Sequence, residues 1–119
     1  MNLIVDEINQ EWKDCNLQQQ LLETVHFSWI PFFKKHNLFD KLIEIQSFIN
    51  QEVDTYGQSI AILPRPKNIF KTFSIPLDEV KVLILGQDVY PNIRKHKENK
   101  ELFQEEAMGL AFSVPEEIK

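Results

Sequence analysis

The sequence predicts an α/β fold, in which several helices precede the first strand or strands of a parallel sheet. Helices are predicted because apolar residues recur at intervals of three and four in the first half of the chain. A strand is predicted because residues 80–85, VKVLIL, form an apolar run rich in β-branched residues. Such runs are typical of strands that are buried on both faces, as in parallel sheets.

Four helices are predicted before residue 57. Residues 3–14 and 17–26 carry helical periodicity, and Ser28 is a candidate N-cap for a helix through WIPFFKKH. Residues 39–54 have the clearest pattern, with Gly57 as the C-cap. The predicted buried faces consist of Leu3, Ile4, Ile8 and Trp12 in the first helix and of Phe39, Leu42, Ile43, Ile49 and Val53 in the last.

The second half of the chain begins with a proline-rich segment. Pro64 and Pro66 predict extended backbone around Arg65, and a short helix follows until Pro76 ends it. After the predicted strand comes a highly charged stretch that lacks Gly and Pro, residues 93–107.

Mixed charge runs of this kind favour a solvated helical insertion. A metal site at His96 and the nearby glutamates is the alternative. Residues 109–115, GLAFSVP, predict a second short strand or extended segment.

Composition excludes several classes of protein. The 119 residues suffice for one small domain, and the apolar runs are far shorter than the roughly 20 residues that cross a bilayer. The N-terminus lacks the basic start of a signal peptide. A single cysteine, Cys15, fits a reducing compartment, and with three scattered histidines it makes no metal-ligand cluster. The net charge of −5 argues against coating of nucleic acid through bulk charge, but an enzyme can still contact a few phosphates locally.

Polar side chains follow the predicted strand directly. The run ends in Gly86, Gln87, Asp88 and Tyr90, whereas ordinary loops favour Gly, Asn, Ser and Pro. Ligands of open α/β sheets collect at the carboxyl ends of strands. A site is therefore predicted here, with Asp88 held at its mouth.

This pattern resembles the uracil-DNA glycosylase family. VKVLILGQDVY followed by GLAFSVP is similar to the family signature, and WIPFFKKH, the helix at 39–54, PRPKNIF and the acidic LDE stand in the family's order. The resemblance covers about residues 27–115, so we expect one partial glycosylase domain over residues 1–119. Within it, residues 1–26 form a helical extension and residues 93–106 a charged insertion.

Several features depart from the family pattern. Val89 replaces the usual Pro, Pro91 stands where many members have His, and the 18 residues between Tyr90 and Gly109 exceed the family's connection. The family's later segments are absent from this sequence. They carry an Asn that reads the uracil edge and a His-Pro-Ser-Pro-Leu motif. The chain therefore resembles the front half of a glycosylase.

The resemblance implies hydrolysis of the N-glycosidic bond of a flipped-out deoxyuridine, the first step of base excision repair, with no metal or cofactor. Asp88 would be the catalytic carboxylate. Gln87, Tyr90 and Phe112 would bind the base, and Pro64, Pro66 and Ser113 would contact the DNA backbone. Taken alone, Asp88 fits a capping acid, Tyr90 half-buried packing, and Phe112 a core residue.

The implied partner is uracil-containing DNA, with no membrane and with a missing C-terminal half. The complete protein is expected to be a monomer in the cytoplasm, or in a nuclear or viral setting if it is not bacterial. The alternative is a non-catalytic fragment or scaffold that binds DNA or a protein partner.

Overall fold

Four α-helices and one β-hairpin frame the structure, a computed structural model that describes residues 2–119. The helices are α1 (Asn2–Asp14), α2 (Leu17–Thr24), α3 (Ile30–Lys35) and α4 (Leu38–Tyr56), and the strands are β1 (Ile93–Lys95) and β2 (Phe103–Glu105). Short 3₁₀ turns occur at Phe27–Trp29, Pro66–Asn68, Lys71–Ser74, Leu77–Glu79 and Glu116–Ile118. Among these residues, no helix combines the length and hydropathy that crossing a membrane requires.

The core lies where α4 packs against the three shorter helices. The amphipathic prediction for α1 is confirmed at Ile8 and Trp12, which are almost fully buried. Helices α1 and α4 each have one predicted core residue that is exposed, Leu3 in α1 and Ile43 in α4. The main buried cluster comprises Ile4, Ile8, Trp12, Leu17, Leu21, Phe33, Leu42, Val53 and Phe70.

The four helices predicted before residue 57 are confirmed, with one correction to their capping. The short helix predicted before Pro76 is instead a 3₁₀ turn at Lys71–Ser74. The N–H of Gly57 donates to the carbonyl of Val53, as expected of a C-cap. Ser28 is not the N-cap of a helix, because a 3₁₀ turn occupies Phe27–Trp29 before α3 begins. The Ser28 hydroxyl instead accepts the backbone N–H of Leu77 at 2.8 Å, which joins the helical half to the following segment.

The strand predicted at residues 80–85 is wrong for the described part of the chain. The segment pairs with no strand there, and its side chains face outward, with Leu85 91% exposed. An apolar run becomes a strand only where a neighbour satisfies its backbone N–H and C=O groups. The fold is thus mixed helix and sheet, which is compatible with the α/β class, and its one sheet is antiparallel.

The strand predicted at residues 109–115 is also wrong. Gly109 and Phe112 have φ of 87° and 63°, and neither value occurs in a strand. The N–H of Ser113 turns back to the carbonyl of Leu110. This segment is therefore a turn.

The helical insertion predicted at residues 93–106 is an antiparallel hairpin instead. β1 pairs with β2 so that Arg94 lies opposite Gln104. At the tip, the side chain of Asn99 accepts the N–H of Glu101, a local bond typical of turns. Ile93 and Phe103 pack against the core, so the charged run has enough apolar surface to order itself.

Helix α1 fixes the segment that leaves α4. The Asn9 amide donates to the carbonyls of Gly57 at 2.9 Å and Ile60 at 2.8 Å, and its oxygen accepts the N–H of Ile62. Trp12 Nε1 donates to the carbonyl of Ile62 at 2.8 Å. The chain is thereby held along α1 just before it reaches Pro64.

Arg65 connects three parts of the fold. Its guanidinium donates to Glu7 at 3.1 Å and Glu11 at 2.7 Å in α1 and to Glu105 at 2.9 Å in β2. Burial alone would lower the pKa of Arg65, but the hydrogen bonds to Glu7 and Glu105 and the charges of Glu105 and Glu11 raise it overall. We refer to Arg65, Glu7, Glu11 and Glu105 as the Arg65 cluster.

Replacing Arg65 by Met should strongly destabilise the protein. The side chain of Glu105 is only 1% exposed, so the change would leave a buried charge without its partner. Loss of one partner of a buried pair typically costs about 3–5 kcal/mol. We expect a loss of this size in the free energy of unfolding, measured by urea titration.

The matched control is Glu7→Gln, which removes the outermost contact of the same arginine. Glu7 is 63% exposed, and exposed pairs contribute only about 0–1 kcal/mol. Equal effects of the two substitutions would show that burial of Glu105 is not what makes the cluster stabilising.

Candidate functional site

A cavity of about 470 Å³ lies where three segments of the second half of the chain meet. Its walls are formed by Pro64 and Ile69, by residues 86–90, and by residues 107–112 with the exception of Met108. The first segment is positioned by α1 and Arg65, and the other two flank the hairpin. Side chains far apart in the sequence are thereby collected around one space.

Five of the seven predicted site residues line this cavity, and two do not. The five are Pro64, Gln87, Asp88, Tyr90 and Phe112. Pro66 is buried beside Arg65, and Ser113 is half-buried next to Phe112. Sequence reasoning missed Ile69, Ala107, Leu110 and Ala111 as wall residues. The only sequence signal for these four residues is their position in or next to the motif segments and PRPKN.

The side chains at the cavity are available to a ligand. Phe112 is 76% exposed, so it is not the core residue that its type alone favours. Asp88 is exposed as well, whereas the side-chain caps of the described turns and helices come from other residues such as Asn16 and His26. Tyr90 is 38% exposed and borders the same space.

Gly109 sets the position of the third wall. Its φ of 87° is disfavoured for any residue with a side chain, and a Cβ there would collide with the carbonyl oxygen of Asn68. This close approach holds the turn at 109–112 against the 3₁₀ turn that follows Pro64 and Arg65. The left-handed backbone of Phe112 then presents its ring outward.

The hairpin begins and ends at the cavity. Tyr90 precedes β1 and Ala107 follows β2, and both line the space. Glu105 in β2 bonds to Arg65, whose neighbour Pro64 lines the cavity too. The Arg65 cluster therefore fixes the position of the cavity wall at Pro64 relative to the wall at Ala107.

Curated proteins from several organisms are similar in sequence to this chain. A uracil-DNA glycosylase from Leuconostoc mesenteroides is 37% identical over 94 residues, which is 78% of this chain and 36% of the relative. One from Campylobacter jejuni subsp. doylei is 34% identical over 120 residues, covering 100% of this chain and 38% of the relative. One from Caenorhabditis elegans is 34% identical over 119 residues, 93% of this chain and 37% of the relative.

The chain belongs to the uracil-DNA glycosylase family. It spans a little over a third of the length of the curated relatives it matches. No family model matches the sequence. No solved structure matches it either.

Two features of the cavity and its surroundings bear on the chemistry of this chain. Val89, where the family motif usually has Pro, lies in the cavity wall between Asp88 and Tyr90. Within residues 2–119, no three His, Cys, Asp or Glu side chains are grouped so that they could hold a metal ion. Among the residues that line the cavity, Asp88 supplies the one carboxylate.

A second concavity lies between the helical half and the turn at Leu77–Glu79. His26 and Ser28 line it, with Nδ1 of His26 2.8 Å from the Ser28 hydroxyl. Both groups are engaged by backbone, since the His26 ring accepts the N–H of Ser28 and the hydroxyl accepts that of Leu77. The pair thus ties two segments together.

Gly109→Ala should destabilise the turn that carries Phe112. Alanine at a positive φ is destabilising by more than about 1 kcal/mol, and here the collision with Asn68 adds to the strain. We expect a lower free energy of unfolding in a urea titration.

Gly86→Ala is the matched control at the same cavity. A Cβ at Gly86 would meet only the Cβ of Ala111, at 3.9 Å, which is ordinary contact. If both substitutions are equally tolerated, the close approach of Gly109 to Asn68 does not determine the position of this wall.

Proposed function

We propose that the protein hydrolyses the N-glycosidic bond of deoxyuridine flipped out of DNA, and that this chain supplies the carboxylate side of the catalytic site. The observation that carries the proposal is that GQDVY and GLAF, from the two family motifs, line one cavity of about 470 Å³. The enzymatic names of the relatives support the same reaction.

Asp88 is proposed as the catalytic residue. Cleavage of the bond builds positive charge on the sugar, which a nearby carboxylate stabilises, and the same group can orient the attacking water. Glycoside hydrolysis uses carboxylates around a similar oxocarbenium-like centre. The exposed position of Asp88 at the cavity supports this role, because its charge can reach a substrate without breaking a buried contact.

Phe112, Tyr90 and Gln87 are proposed to hold the flipped uracil. Phe112 presents an exposed ring, and stacking of a base on an aromatic side chain contributes roughly 1–3 kcal/mol. Tyr90 is proposed to crowd position 5 of the base and to exclude the methyl group of thymine. Gln87 lines the same space beside Asp88 and is proposed to border the bound uracil.

Contacts to the DNA backbone are proposed for the two flanking segments. Pro64 lies at the cavity, and Ser113 follows the proposed stacking residue, which supports contacts from both to the phosphates next to a flipped base. Pro64 and Pro66 are both buried, but Pro66 does not line the cavity, which favours a supporting role in the loop over direct contact with DNA.

The proposal includes the setting of the reaction. We propose that the parallel sheet and the residues that read the uracil edge belong to further sequence, and that residues 80–85 pair with that sheet. Uracil-containing DNA is the proposed substrate, no cofactor is required, and the complete protein acts as a monomer in the cytoplasm.

A second candidate function is a non-catalytic scaffold that binds DNA or a protein. The observation that favours it is the exposed apolar run at residues 82–85, which offers a surface to a protein partner. Release of uracil from DNA by the protein translated from its complete reading frame would exclude this candidate. Binding of DNA without release would favour it.

Asp88→Asn should abolish most of the activity while leaving the fold intact. The substitution keeps the shape and removes the charge, and loss of one preorganised electrostatic group costs about 2.7–4 kcal/mol of barrier. We expect uracil release from a uracil-containing oligonucleotide to slow at least about a hundredfold in single-turnover kinetics.

Asp6→Asn, on the exposed surface of α1, is the matched control and should leave the rate unchanged. A stable Asp88→Asn protein with full activity would contradict the catalytic assignment. A lower melting temperature with normal turnover would assign Asp88 to the loop structure alone.

Tyr90→Ala should relax the choice of base. Removal of the ring opens space at position 5, so thymine release should become detectable on a matched thymine substrate while uracil release continues. Tyr56→Ala, at the exposed end of α4, is the control and should leave the choice of base unchanged. If Tyr90 only packs, product analysis will show unchanged selectivity and the protein will merely be less stable.

A further inference from the structure

The hairpin carries a dense group of cations in an acidic protein. Between residues 94 and 100, RKHKENK, four Lys or Arg residues accompany a single acid, Glu98, whereas the whole chain has a net charge of −5. This group is Arg94, Lys95, Lys97 and Lys100.

Three of these four cations are exposed and free of salt bridges within the described residues. Arg94 pairs with Glu106 at 3.2 Å, while the salt bridges of residues 2–119 leave out Lys95, Lys97 and Lys100. All three lysines are exposed. We call Lys95, Lys97 and Lys100 the hairpin lysines.

The backbone that carries the hairpin lysines is ordered by hydrogen bonds. The N–H of His96 donates to the carbonyl of Leu102, which extends the ladder beyond β1, and that of Lys97 donates to Glu117. Lys95 is the last residue of β1, and Lys97 and Lys100 lie in the connection between the two strands. Lys95 also lies 5.9 Å from the ring centroid of Phe103.

The base of the hairpin is fixed to the cavity. Its two ends, Tyr90 and Ala107, line the cavity, and Glu105 is bonded to Arg65. The hairpin is therefore joined at both ends to the rim of the space proposed to hold a flipped base, and a swing away from that rim would break a buried ion pair.

We propose that the hairpin is a DNA-binding element in which the hairpin lysines contact the phosphates beyond the cavity. The proposal rests on the proposed function, which brings DNA to this rim. Duplex DNA carries a negative charge about every 1.7 Å along its axis, so cations on an element joined to the cavity rim would favour DNA binding by releasing counterions from the phosphates. An acidic protein would require only the positive charge of the hairpin lysines. DNA bound at the cavity would also require those lysines to be on an element joined to the cavity, so the position of the hairpin favours DNA.

The test compares the salt dependence of DNA binding in two triple variants. One carries Lys95→Gln, Lys97→Gln and Lys100→Gln, and the control carries Lys34→Gln, Lys35→Gln and Lys41→Gln on exposed positions of α3 and α4. Binding to an undamaged duplex is followed by fluorescence anisotropy at about 50–200 mM salt. An undamaged duplex reports phosphate contacts and does not depend on uracil recognition.

The hairpin triple should weaken binding and reduce the slope of log K against log salt. Each phosphate contact contributes a slope of about −0.9, so the slope should become shallower by about 2–3. A third variant with Arg at the three hairpin positions should retain the original slope, which separates charge from hairpin structure. The α3–α4 triple should leave the slope unchanged.

Equal slopes in the wild-type and hairpin triple would overturn the proposal. Equal reductions in both triples would also overturn it, because the effect would then be one of net charge. If the hairpin triple keeps its DNA slope but loses affinity for poly-glutamate, the surface binds an acidic protein instead.

A separate assay distinguishes failure of this proposal from failure of the proposed function. Uracil release from a uracil-containing oligonucleotide with an unchanged DNA slope refutes the hairpin alone. A changed slope without uracil release supports the hairpin as a DNA-binding element and refutes the glycosylase reaction.

Discussion

The arrangement of the candidate site depends on the ion pair between Arg65 and Glu105. Arg65 lies in the loop after α4, and Glu105 lies in β2, so their bond of 2.9 Å joins the helical half to the hairpin. Two donors, from Arg65 and Gln104, reach one oxygen of Glu105, while the other oxygen is buried without a partner. A buried carboxylate in this state is tolerated only while the arginine remains in place.

The ion pair also anchors the connection between the two motifs. Part of this connection forms the β1–β2 hairpin, which has its own packing and its own charges. Glu105 near the end of the hairpin reaches back to the loop that carries Pro64. The connection is therefore integrated into the cavity walls.

Local patterns predicted what local interactions determine. The helical periods of α1 and α4 identified real helices, because their hydrogen bonds lie within the segment. The strand prediction for residues 80–85 failed because a strand needs a hydrogen-bonding partner, and the described residues supply none. The hairpin was missed because a charged run without Gly or Pro resembles a helix. The turn-forming Asn99 was a weaker signal of the hairpin.

In the candidate site too, features within a local motif could be predicted and contacts between distant segments could not. Asp88 and Phe112 could be identified from their motifs, and the structure brings both to one cavity. The residues that place them there could not be identified. The role of Gly109 depends on the approach of Asn68, and the role of Arg65 depends on carboxylates 54, 58 and 40 positions away along the chain.

The placement of the two tryptophans has an optical consequence. Trp12 is buried with its indole N–H bonded to Ile62, and Trp29 bonds to Ile75 and meets Phe73 edge-on at 5.0 Å. Neither lines the cavity, whose aromatic rings are those of Tyr90 and Phe112. Intrinsic tryptophan emission therefore follows the integrity of the helical half and carries little direct signal from the cavity. A fluorescent base analogue placed in the DNA would report on the cavity side of the molecule.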